Sequence, residues 1–399
     1  MNKKDYKRNY FMLDGRFAKK GYDWWWHNFT AFEEETGKEK QFFIEYFTIN
    51  PARAKDNGGE EPILGQNLLN KERKFVPSYV MVKCGWWGED GVQLHHFIPW
   101  KDVTITNGNK VVISPDNLKK VNTNDKIKTF VLSSGEFYCS DILIKGNVNI
   151  TPEQAAESER MTDSGSMKWE LSVDKKTAFN VGYGAGSLFR KLKAFEMYWH
   201  AEGMKSSFSG IITANGKRYI VKKSESFGYS DKNWGSNFTS PWVWLSSNDL
   251  VSKISGKRLE NSVFDIGGGK PRVFGLPLNR KLLGDFFYEG KSYEFNFSKF
   301  WTGCRTKFEC KETDEQIIWY VRQQTFRYLM ETYITCNKKD MLLVNYEAPD
   351  GKKRHNRLWN GGTGTGNVKL LKKGSGGKLH LIDDISVNHI GCEFGEYDK

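Results

Sequence analysis

Tight-turn dipeptides recur along the whole chain, and each lies between stretches rich in β-branched and aromatic residues. Turns of this kind join antiparallel neighbours in β-hairpins. We therefore predict an all-β protein made of antiparallel sandwiches or barrels. The turn dipeptides are Asp14-Gly15, Asp90-Gly91, Asn107-Gly108, Asn215-Gly216, Glu289-Gly290 and Asp350-Gly351.

Local patterns place a few elements in more detail. Residues 292–297 alternate polar and aromatic side chains, which predicts a half-buried strand. Thr151, Pro152 and Gln154 form a helix-start signature before a short polar stretch that ends at Arg160, and a second short helix is expected over 188–195. We expect loops at 267–269 and at 374–377. Gly362 to Gly366 predicts a bend or bulge within a strand, because no strand-loop-helix pattern surrounds it.

The chain's length of 399 residues favours two domains. Both candidate helices precede residue 228, and the remainder is strand-like, so we predict domains at 1–228 and 229–399. A boundary within the polar stretch 151–166 is the competing choice. Aromatic residues make up 15% of the chain against only 38% hydrophobic residues, so rings must supply much of the core volume.

Charge and cysteine usage limit the functional classes. The net charge of +12 forms no concentrated stripe beyond the first 20 residues, which we interpret as a solvated arm, so no nucleic-acid partner is expected. No apolar run has the length of a membrane span, and we expect a cytoplasmic protein. The abundance of Lys and Asn is compatible with a bacterial source.

The six cysteines lack metal-site spacing, so we expect reduced thiols and no metal.

Aromatic strands supply the first candidate site residues. In the segment 22–29, Trp25 and His27 share one strand face while Trp24 lies on the other. A strand that is aromatic on both faces either packs in a core or lines a cavity. Glu45 shares a face with Phe43 and Phe47. Its carboxyl is either desolvated and protonated, as a general acid requires, or paired with a cation from a neighbouring strand.

Two further segments combine acids with rings. Tyr198, His200 and Glu202 share a strand face, next to Trp199, and His200 is either a secondary site residue or a structural histidine. The stretch from Gly228 to Gly235 places an acid, a cation and an amide between two glycines, and a Trp-rich strand follows it. An ordinary turn with an Asp cap is the alternative interpretation of this stretch.

The residues 228–235 and 241–245 resemble the tocopherol cyclase family, and more distantly hydroxyneurosporene synthase (carotenoid hydratase) and lipocalin-like cyclases. The segments 165–170, 208–216, 361–364 and 391–397 fit the same pattern. The resemblance implies two lipocalin-like antiparallel β-domains with a hydrophobic pocket near their junction. It also implies chemistry on long prenyl or polyene substrates without a cofactor, in which an alkene is protonated and the cation is trapped by a phenol oxygen or water. The segment 23–27 departs from the family pattern, which leaves the substrate open.

Such chemistry needs a dry pocket, a proton donor and ring faces that stabilise a cation. We assign the acid to Asp231 first and Glu45 second, and expect Asn233 and His200 to orient the substrate oxygen. Lys232 could instead keep Asp231 ionised. The expected substrate-binding residues are Trp24, Trp25, His27, Tyr183, Trp199, Tyr229, Lys232, Trp234, Trp242 and Trp244.

Two other functions compete with a cyclase or hydratase. The first is a lipocalin-type carrier, which binds a hydrophobic small molecule and returns it unchanged. The second is a polymer-binding protein whose tryptophans form an exposed stacking platform. The oligomeric state does not follow from the sequence.

Overall fold

The computed structural model describes residues 3–50, 68–69, 75–77, 79–114, 130–158, 160–179, 191–347 and 353–395. Most of these residues lie in antiparallel strands, which confirms the all-β prediction. The described α-helices are α1 (Lys3–Arg8), α2 (Gly15–Lys19) and α3 (Pro152–Ala156), and short 3₁₀ turns occur at Trp100–Asp102, Phe300–Thr302, Lys338–Asp340 and Ser375–Gly377. None of the helices in this part of the chain is long and apolar enough to cross a membrane.

The first sheet contains most strands before residue 236, and its order is β6-β5-β2-β1-β14-β13-β12-β11-β10-β9-β7-β8, with β15 paired to both β1 and β13. Strand β6 approaches β11 and β12, so this sheet curls back on itself. Two further strands, β3 (Leu68–Leu69) and β4 (Phe75–Val76), form a separate ribbon. The strands of the sheet are β1 (Gly21–Glu33), β2 (Glu39–Asn50), β5 (Tyr79–Trp86), β6 (Val92–Pro99), β7 (Thr104–Asn107), β8 (Lys110–Ile113), β9 (Phe130–Ser134), β10 (Phe137–Ser140), β11 (Leu143–Ile150), β12 (Gly165–Phe179), β13 (Met197–Ala214), β14 (Lys217–Val221) and β15 (Gly228–Gly235).

The second sheet has the order β22-β21-β18-β16-β28-β27-β25-β24-β23, with β17 on β28 and β26 on β27. The strands next to its two ends lie close together, since Gln323 Nε2 on β24 donates to the Leu282 carbonyl on β21 over 3.1 Å. A separate ribbon joins β19 (Arg272–Val273) to β20 (Leu276–Pro277). The strands of the sheet are β16 (Trp242–Ser247), β17 (Asp249–Ser252), β18 (Val263–Gly269), β21 (Lys281–Tyr288), β22 (Lys291–Phe295), β23 (Arg305–Glu312), β24 (Gln316–Gln324), β25 (Tyr328–Asn337), β26 (Met341–Glu347), β27 (Lys353–Lys373) and β28 (Leu379–Gly395).

Four of the six turn dipeptides join adjacent antiparallel strands as predicted, those at 90–91, 107–108, 215–216 and 289–290. The prediction at Asp14-Gly15 is wrong, because Asp14 precedes helix α2 and Gly15 begins it. Asp350-Gly351 lies outside the described residues. An Asp-Gly pair can thus begin a helix as readily as it closes a hairpin, since Asp also favours the position before a first helical turn.

The other local predictions have mixed outcomes. Helix α3 forms with its capping box at Thr151 and Gln154, and β22 shows the expected alternation with Tyr293 and Phe295 buried. The segment 362–366 is a bulged part of β27, as predicted. The loop expected at 267–269 is wrong, since these glycines end β18. The helix expected over 188–195 lies largely outside the described residues, and its described end pairs Phe195 with Val273.

The change from the first sheet to the second falls after β15. Strand β15 pairs with β1 and β13, so residues 228–235 belong to the first sheet, and the second begins with Trp242. The division into domains at 1–228 and 229–399 stays a prediction about independently folding units.

One tryptophan of the first sheet is inserted into the second. Trp87, directly after β5, is 2% exposed, and its Nε1 donates to Asn360 Oδ1 on β27 over 2.7 Å. An added Cβ at Gly362 would lie 2.4 Å from the Trp87 ring, so only glycine leaves space for the indole there. This contact joins the two sheets through both packing and a buried hydrogen bond.

Replacing Trp87 with Ala removes this ring and leaves Asn360 without its donor. We expect Trp87→Ala to lower the free energy of unfolding by about 3–5 kcal/mol. Trp301→Ala, at a position that is 64% exposed, is the matched control and should change it by about 0.5 kcal/mol or less. Chemical denaturation measures both, and equal losses in the two variants would contradict the inserted-ring interpretation.

Candidate functional site

Strand alternation divides the residues of β15 between two environments. Tyr229, Asp231 and Asn233 point to one side, and Lys232 and Trp234 point to the other. The register extends the first side across neighbouring strands, with Trp199 opposite Asn233 and Trp26 opposite Asp231. This side faces the second sheet, and we call it the cavity face.

A small cavity lies between the cavity face and the second sheet. Traced by the centre of a water-sized sphere, its volume is about 30 Å³, which is room for about two water molecules. Six of its thirteen lining residues are aromatic, and three carboxyl groups border it. The lining residues are Trp24, Trp26, Glu45, Met197, Asp231, Asn233, Phe238, Thr239, Trp242, Trp244, Tyr346, Leu358 and Glu393.

Asp231 is a buried carboxyl with one oxygen bound and one free. Its Oδ2 accepts a hydrogen bond from Trp199 Nε1 over 2.8 Å, while Oδ1 is buried without a hydrogen-bond partner. Burial raises the pKa of Asp231 well above its usual range, and the nearby Glu393 adds to this shift. We infer that Asp231 is protonated at neutral pH, with its proton on the oxygen that has no other partner.

Tyr229 connects Asp231 to a second carboxyl. Its hydroxyl lies 3.3 Å from Asp231 Oδ2 and 3.2 Å from Asp265 Oδ2, on β18 of the other sheet. A hydroxyl has one proton and can donate to only one of the two acids. The other contact is favourable only when that carboxyl is protonated and donates to the phenol oxygen. The geometry therefore requires that at least one of the two carboxyls, Asp231 or Asp265, carries a proton.

The surroundings of Asp265 favour the same protonation. Its Oδ1 accepts from Trp244 Nε1 over 3.1 Å, and no cation lies among the groups that shift its titration. Burial raises the pKa of Asp265 well above its usual range, and the charge of Asp231 raises it further. In the arrangement that satisfies both contacts of the phenol, Asp265 donates to Tyr229, and Tyr229 donates to Asp231.

Glu393 is the third carboxyl at the cavity. Trp242 Nε1 donates to its Oε2 over 2.6 Å, and Asn360 Nδ2 donates to its Oε1. Burial raises the pKa of Glu393 to about 7, although both hydrogen bonds oppose this shift. Glu393 therefore exchanges a proton near neutral pH, which distinguishes it from Asp231.

Glu45 has the cationic partner that was one of its two predicted alternatives. Lys83, directly opposite on β5, lies 3.2 Å from it, and both side chains are fully buried. The Lys83 Nζ also lies 3.4 Å from the centre of the Tyr346 ring. Burial raises the pKa of Glu45 and lowers that of Lys83, while their mutual attraction opposes both shifts. The pair is a less available proton source than Asp231.

Lys232 lies behind the cavity face and forms an ion pair with Asp23, above the Trp25 ring at 3.8 Å. It therefore does not hold Asp231 ionised, which was one possibility from the sequence. His27 bonds Ser230 over 2.9 Å on the same side.

His200 and Trp234 also lie on this far side. His200 Nδ1 donates to the Phe179 carbonyl over 3.0 Å, and burial lowers its pKa to about 3, so it is neutral. Trp234 stacks on Tyr198. These residues pack inside the first sheet and do not line the cavity.

The structure thus brings together eight of the sequence-predicted site residues and separates five. Tyr183 lies outside the described residues. Those at or bonded to the cavity are Trp24, Glu45, Trp199, Tyr229, Asp231, Asn233, Trp242 and Trp244, and those on the far side are Trp25, His27, His200, Lys232 and Trp234.

Sequence reasoning missed Asp265 and did not assign a role to Glu393. Asp265 interrupts an otherwise apolar run from Val263 to Ile266, and a carboxyl in a buried strand is a usable signal. Interpreting the following glycines as a loop obscured it. Glu393 lies within the stretch 391–397 that carried the family resemblance, but its contact with the cavity depends on strands far apart in sequence.

A family model described as tocopherol cyclase-like matches residues 103–396. This span includes Asp231, Asp265 and Glu393 but not Glu45. The chain belongs to the tocopherol cyclase-like family. The predicted family resemblance is confirmed, although the segment that carries Trp24 and Glu45 lies outside the matched range.

Curated relatives of this family match only part of the chain. A protein named probable tocopherol cyclase, chloroplastic, from Oryza sativa subsp. japonica is 30% identical over 138 residues, which are 32% of this chain and 27% of that protein. The chloroplastic tocopherol cyclase of Zea mays is 31% identical over 101 residues, or 25% of this chain and 20% of that protein. The match therefore spans about a quarter of the length of these tocopherol cyclases.

Two solved structures resemble this member of the tocopherol cyclase-like family over most of its length. Kievitone hydratase from Nectria haematococca has a TM-score of 0.43 at 10% identity, covering 94% of this chain and 90% of that one. The protein CghA has a TM-score of 0.46 at 9% identity, covering 95% and 89%. Similarities at this level are too low to carry an inference of function.

The protonation of Asp231 can be tested through the pH dependence of stability. A carboxyl that stays protonated in the folded protein but ionises in the unfolded chain makes stability fall as pH rises above about 4, by about 1.4 kcal/mol per pH unit. We expect Asp231→Asn to make the decrease in stability between pH 5 and 7 shallower, by the amount that the ionisation of one carboxyl contributes. Denaturant titrations at several pH values measure the slope.

Asp314→Asn, at an exposed position, is the control for this experiment. A slope in Asp231→Asn equal to that of the unmodified protein would show that Asp231 is ionised in the folded state.

Proposed function

We propose that this protein is a cofactor-independent cyclase or hydratase that protonates an alkene of a hydrophobic prenyl or polyene molecule. The observation that carries the proposal is the unpartnered Oδ1 of Asp231, a buried and protonated carboxyl oxygen at an aromatic cavity. The membership of the tocopherol cyclase-like family supports the same class of reaction.

In the first step, the Asp231 proton bonds to one alkene carbon and the π electrons form that bond, which leaves a cation on the neighbouring carbon. The Asp231 carboxylate that remains is stabilised by donors already in place, Trp199 Nε1 and the Tyr229 hydroxyl. Hydrogen bonds to an ionised group are stronger than those to a neutral one, so these contacts favour the transition state over the ground state.

The cation would form among ring faces. Trp24, Trp26, Trp242 and Trp244 border the cavity, and a desolvated cation-π contact contributes on the order of 2 kcal/mol. Glu393 and the developing Asp231 carboxylate provide negative charge nearby. Lys83 is a cation that lies just behind the cavity wall, against Glu45 and the Tyr346 ring, and its charge is offset by Glu45.

In the second step, a phenol or water oxygen donates a lone pair to the cationic carbon and then loses its proton. Attack by an internal phenol closes a ring without a change in mass, and attack by water adds one water. Asp231 or Glu393 accepts the released proton. Glu393, with its pKa of about 7, is partly ionised at neutral pH and suits this role.

The buried tryptophans argue against the exposed stacking platform that the sequence left open. Trp25, Trp234, Trp242 and Trp244 are each at most 7% exposed. A polymer-binding face needs rings that a polymer can reach, and these four rings are covered.

Asp231→Asn tests the acid directly, because the amide has nearly the same shape and no acidic proton. We expect turnover to fall at least about a hundredfold while the fold persists. Purified protein is incubated with a lipid extract and a panel of prenylated quinols, and products are separated by chromatography and weighed by mass spectrometry. A new species of unchanged mass, or one heavier by a single water, identifies the reaction.

Asp383→Asn is the matched control, since Asp383 is also buried but is bonded to Ser252 and Tyr288 away from the cavity. It should retain turnover. Full activity in Asp231→Asn would reject Asp231 as the acid. Compounds enriched by both forms and recovered unaltered would support the carrier instead.

The roles of Asp231 and Glu393 also predict a pH profile. Activity should rise as pH increases through about 7, where Glu393 ionises, and fall at higher pH as Asp231 loses its proton. Glu393→Gln should remove the rise on the acidic side and keep the fall on the alkaline side. Initial rates across the pH range check this, and an unchanged acidic limb in Glu393→Gln would exclude it as the proton acceptor.

A further inference from the structure

Three large aromatic side chains protrude from one end of the second sheet. Phe300 is 81% exposed, Trp301 64% and Phe326 72%, and among the other described rings Phe274 at 63% and Tyr333 at 51% are comparably exposed. Phe300 and Trp301 pack edge to face with ring centres 5.2 Å apart. An exposed aromatic cluster of this kind is costly in water and marks a surface that contacts something else.

The register of the second sheet places three loops together at this end. Arg305 pairs with Gln324, Tyr328 with Lys372, and Lys373 with Leu379. The connections before β23, after β24 and after β27 therefore lie at the same end of the sheet. The Phe326 amide donates to the Thr302 carbonyl over 2.9 Å, which ties two of these loops. We call residues 296–305, 324–328 and 372–379 the aromatic tip.

The aromatic tip is strongly basic. Its three segments contain six basic residues and no Asp or Glu. Among the described residues, neither Arg305 nor Arg327 forms an ion pair, and Lys299 is paired to Glu294 outside the tip. Burial together with Arg322 and Arg305 lowers the pKa of Lys373, which shows how closely the positive charges crowd. The basic residues are Lys299, Arg305, Arg327, Lys372, Lys373 and Lys378.

We propose that the aromatic tip binds the surface of a bilayer that contains anionic lipids. Tryptophan and other aromatic rings are favoured at the membrane interface, where the apolar ring and polar edge meet matching surroundings. Lysine and arginine beside them are attracted to anionic headgroups. The rings project from loops at exposed positions, a shape that enters a soft interface more readily than it fits a rigid partner.

This inference goes beyond the proposed reaction and does not depend on it. A peripheral contact of this kind would bring the protein to the phase in which hydrophobic polyenes dissolve. It involves no segment that crosses the bilayer, because the three rings reach only the interfacial region.

Sedimentation with vesicles tests the proposal on the full chain. We expect binding to vesicles of phosphatidylcholine mixed with phosphatidylglycerol, and much weaker binding to phosphatidylcholine alone. The triple variant Phe300→Ser, Trp301→Ser and Phe326→Ser should lower the partition coefficient by about tenfold or more. The fluorescence emission of Trp301 should shift to shorter wavelength when anionic vesicles are added. Subtracting the spectrum of Trp301→Phe from that of the unmodified protein isolates this shift.

Charge and apolar contacts can be separated with two more variants. Replacing Arg305, Arg327 and Lys378 with Gln should weaken binding to the anionic vesicles by about tenfold or more and reduce its salt dependence. Phe274→Ser with Leu276→Ser removes two side chains that are equally exposed on another ribbon, and should bind like the unmodified protein. Absence of sedimentation with anionic vesicles, or equal binding by the triple variant, would overturn the proposal, and a protein partner would then be the occupant of the tip.

Discussion

The number of protons around Tyr229 constrains the whole junction between the two sheets. One hydroxyl lies within hydrogen-bond distance of two buried carboxyls, Asp231 from the first sheet and Asp265 from the second. Two ionised acids would leave one oxygen-oxygen contact repulsive, in surroundings where water cannot screen it. The sheets can pack in this way only if at least one acid keeps its proton. The contact that joins the sheets therefore also keeps a protonated carboxyl between them at neutral pH.

The indole N–H groups complete this arrangement. Trp199 donates to Asp231, Trp244 to Asp265 and Trp242 to Glu393, so each large ring brings one donor to a buried acid. A buried indole needs an acceptor and a buried carboxyl needs a donor, and each satisfies the other without a cation. Burial raises the pKa of all three acids, and the indole hydrogen bonds oppose that rise only in part. Burial also raises the pKa of Glu45, although its lysine partner opposes that shift through its positive charge.

Much of the fold follows from local sequence, whereas the site follows only in part. Turn dipeptides and strand alternation are local, so four hairpins and the side of β15 that carries Asp231 were accessible from the sequence. Alternation also separates Asp231 from Lys232, although it does not reveal that Lys232 has Asp23 as its partner. Asp265 could not be placed, because its contact with Tyr229 joins residues of different sheets, and no local pattern reports which strands face each other.

The small size of the cavity affects how the acid would work. The proposed prenyl substrate is much larger than two waters, so its entry would displace both the water and some aromatic side chains. Trp24, which is partly exposed, and its neighbour Phe238 are suited by their position to move aside. In the proposed reaction, removing that water would lower the local dielectric further and favour the protonated form of Asp231. The alkene would then meet a carboxyl that is protonated more completely. The same desolvation makes the carboxylate left after proton transfer costly, unless Trp199 and Tyr229 donate to it. In the proposed reaction, those two hydrogen bonds, already formed in the structure, would therefore contribute most to the catalytic strength of the acid.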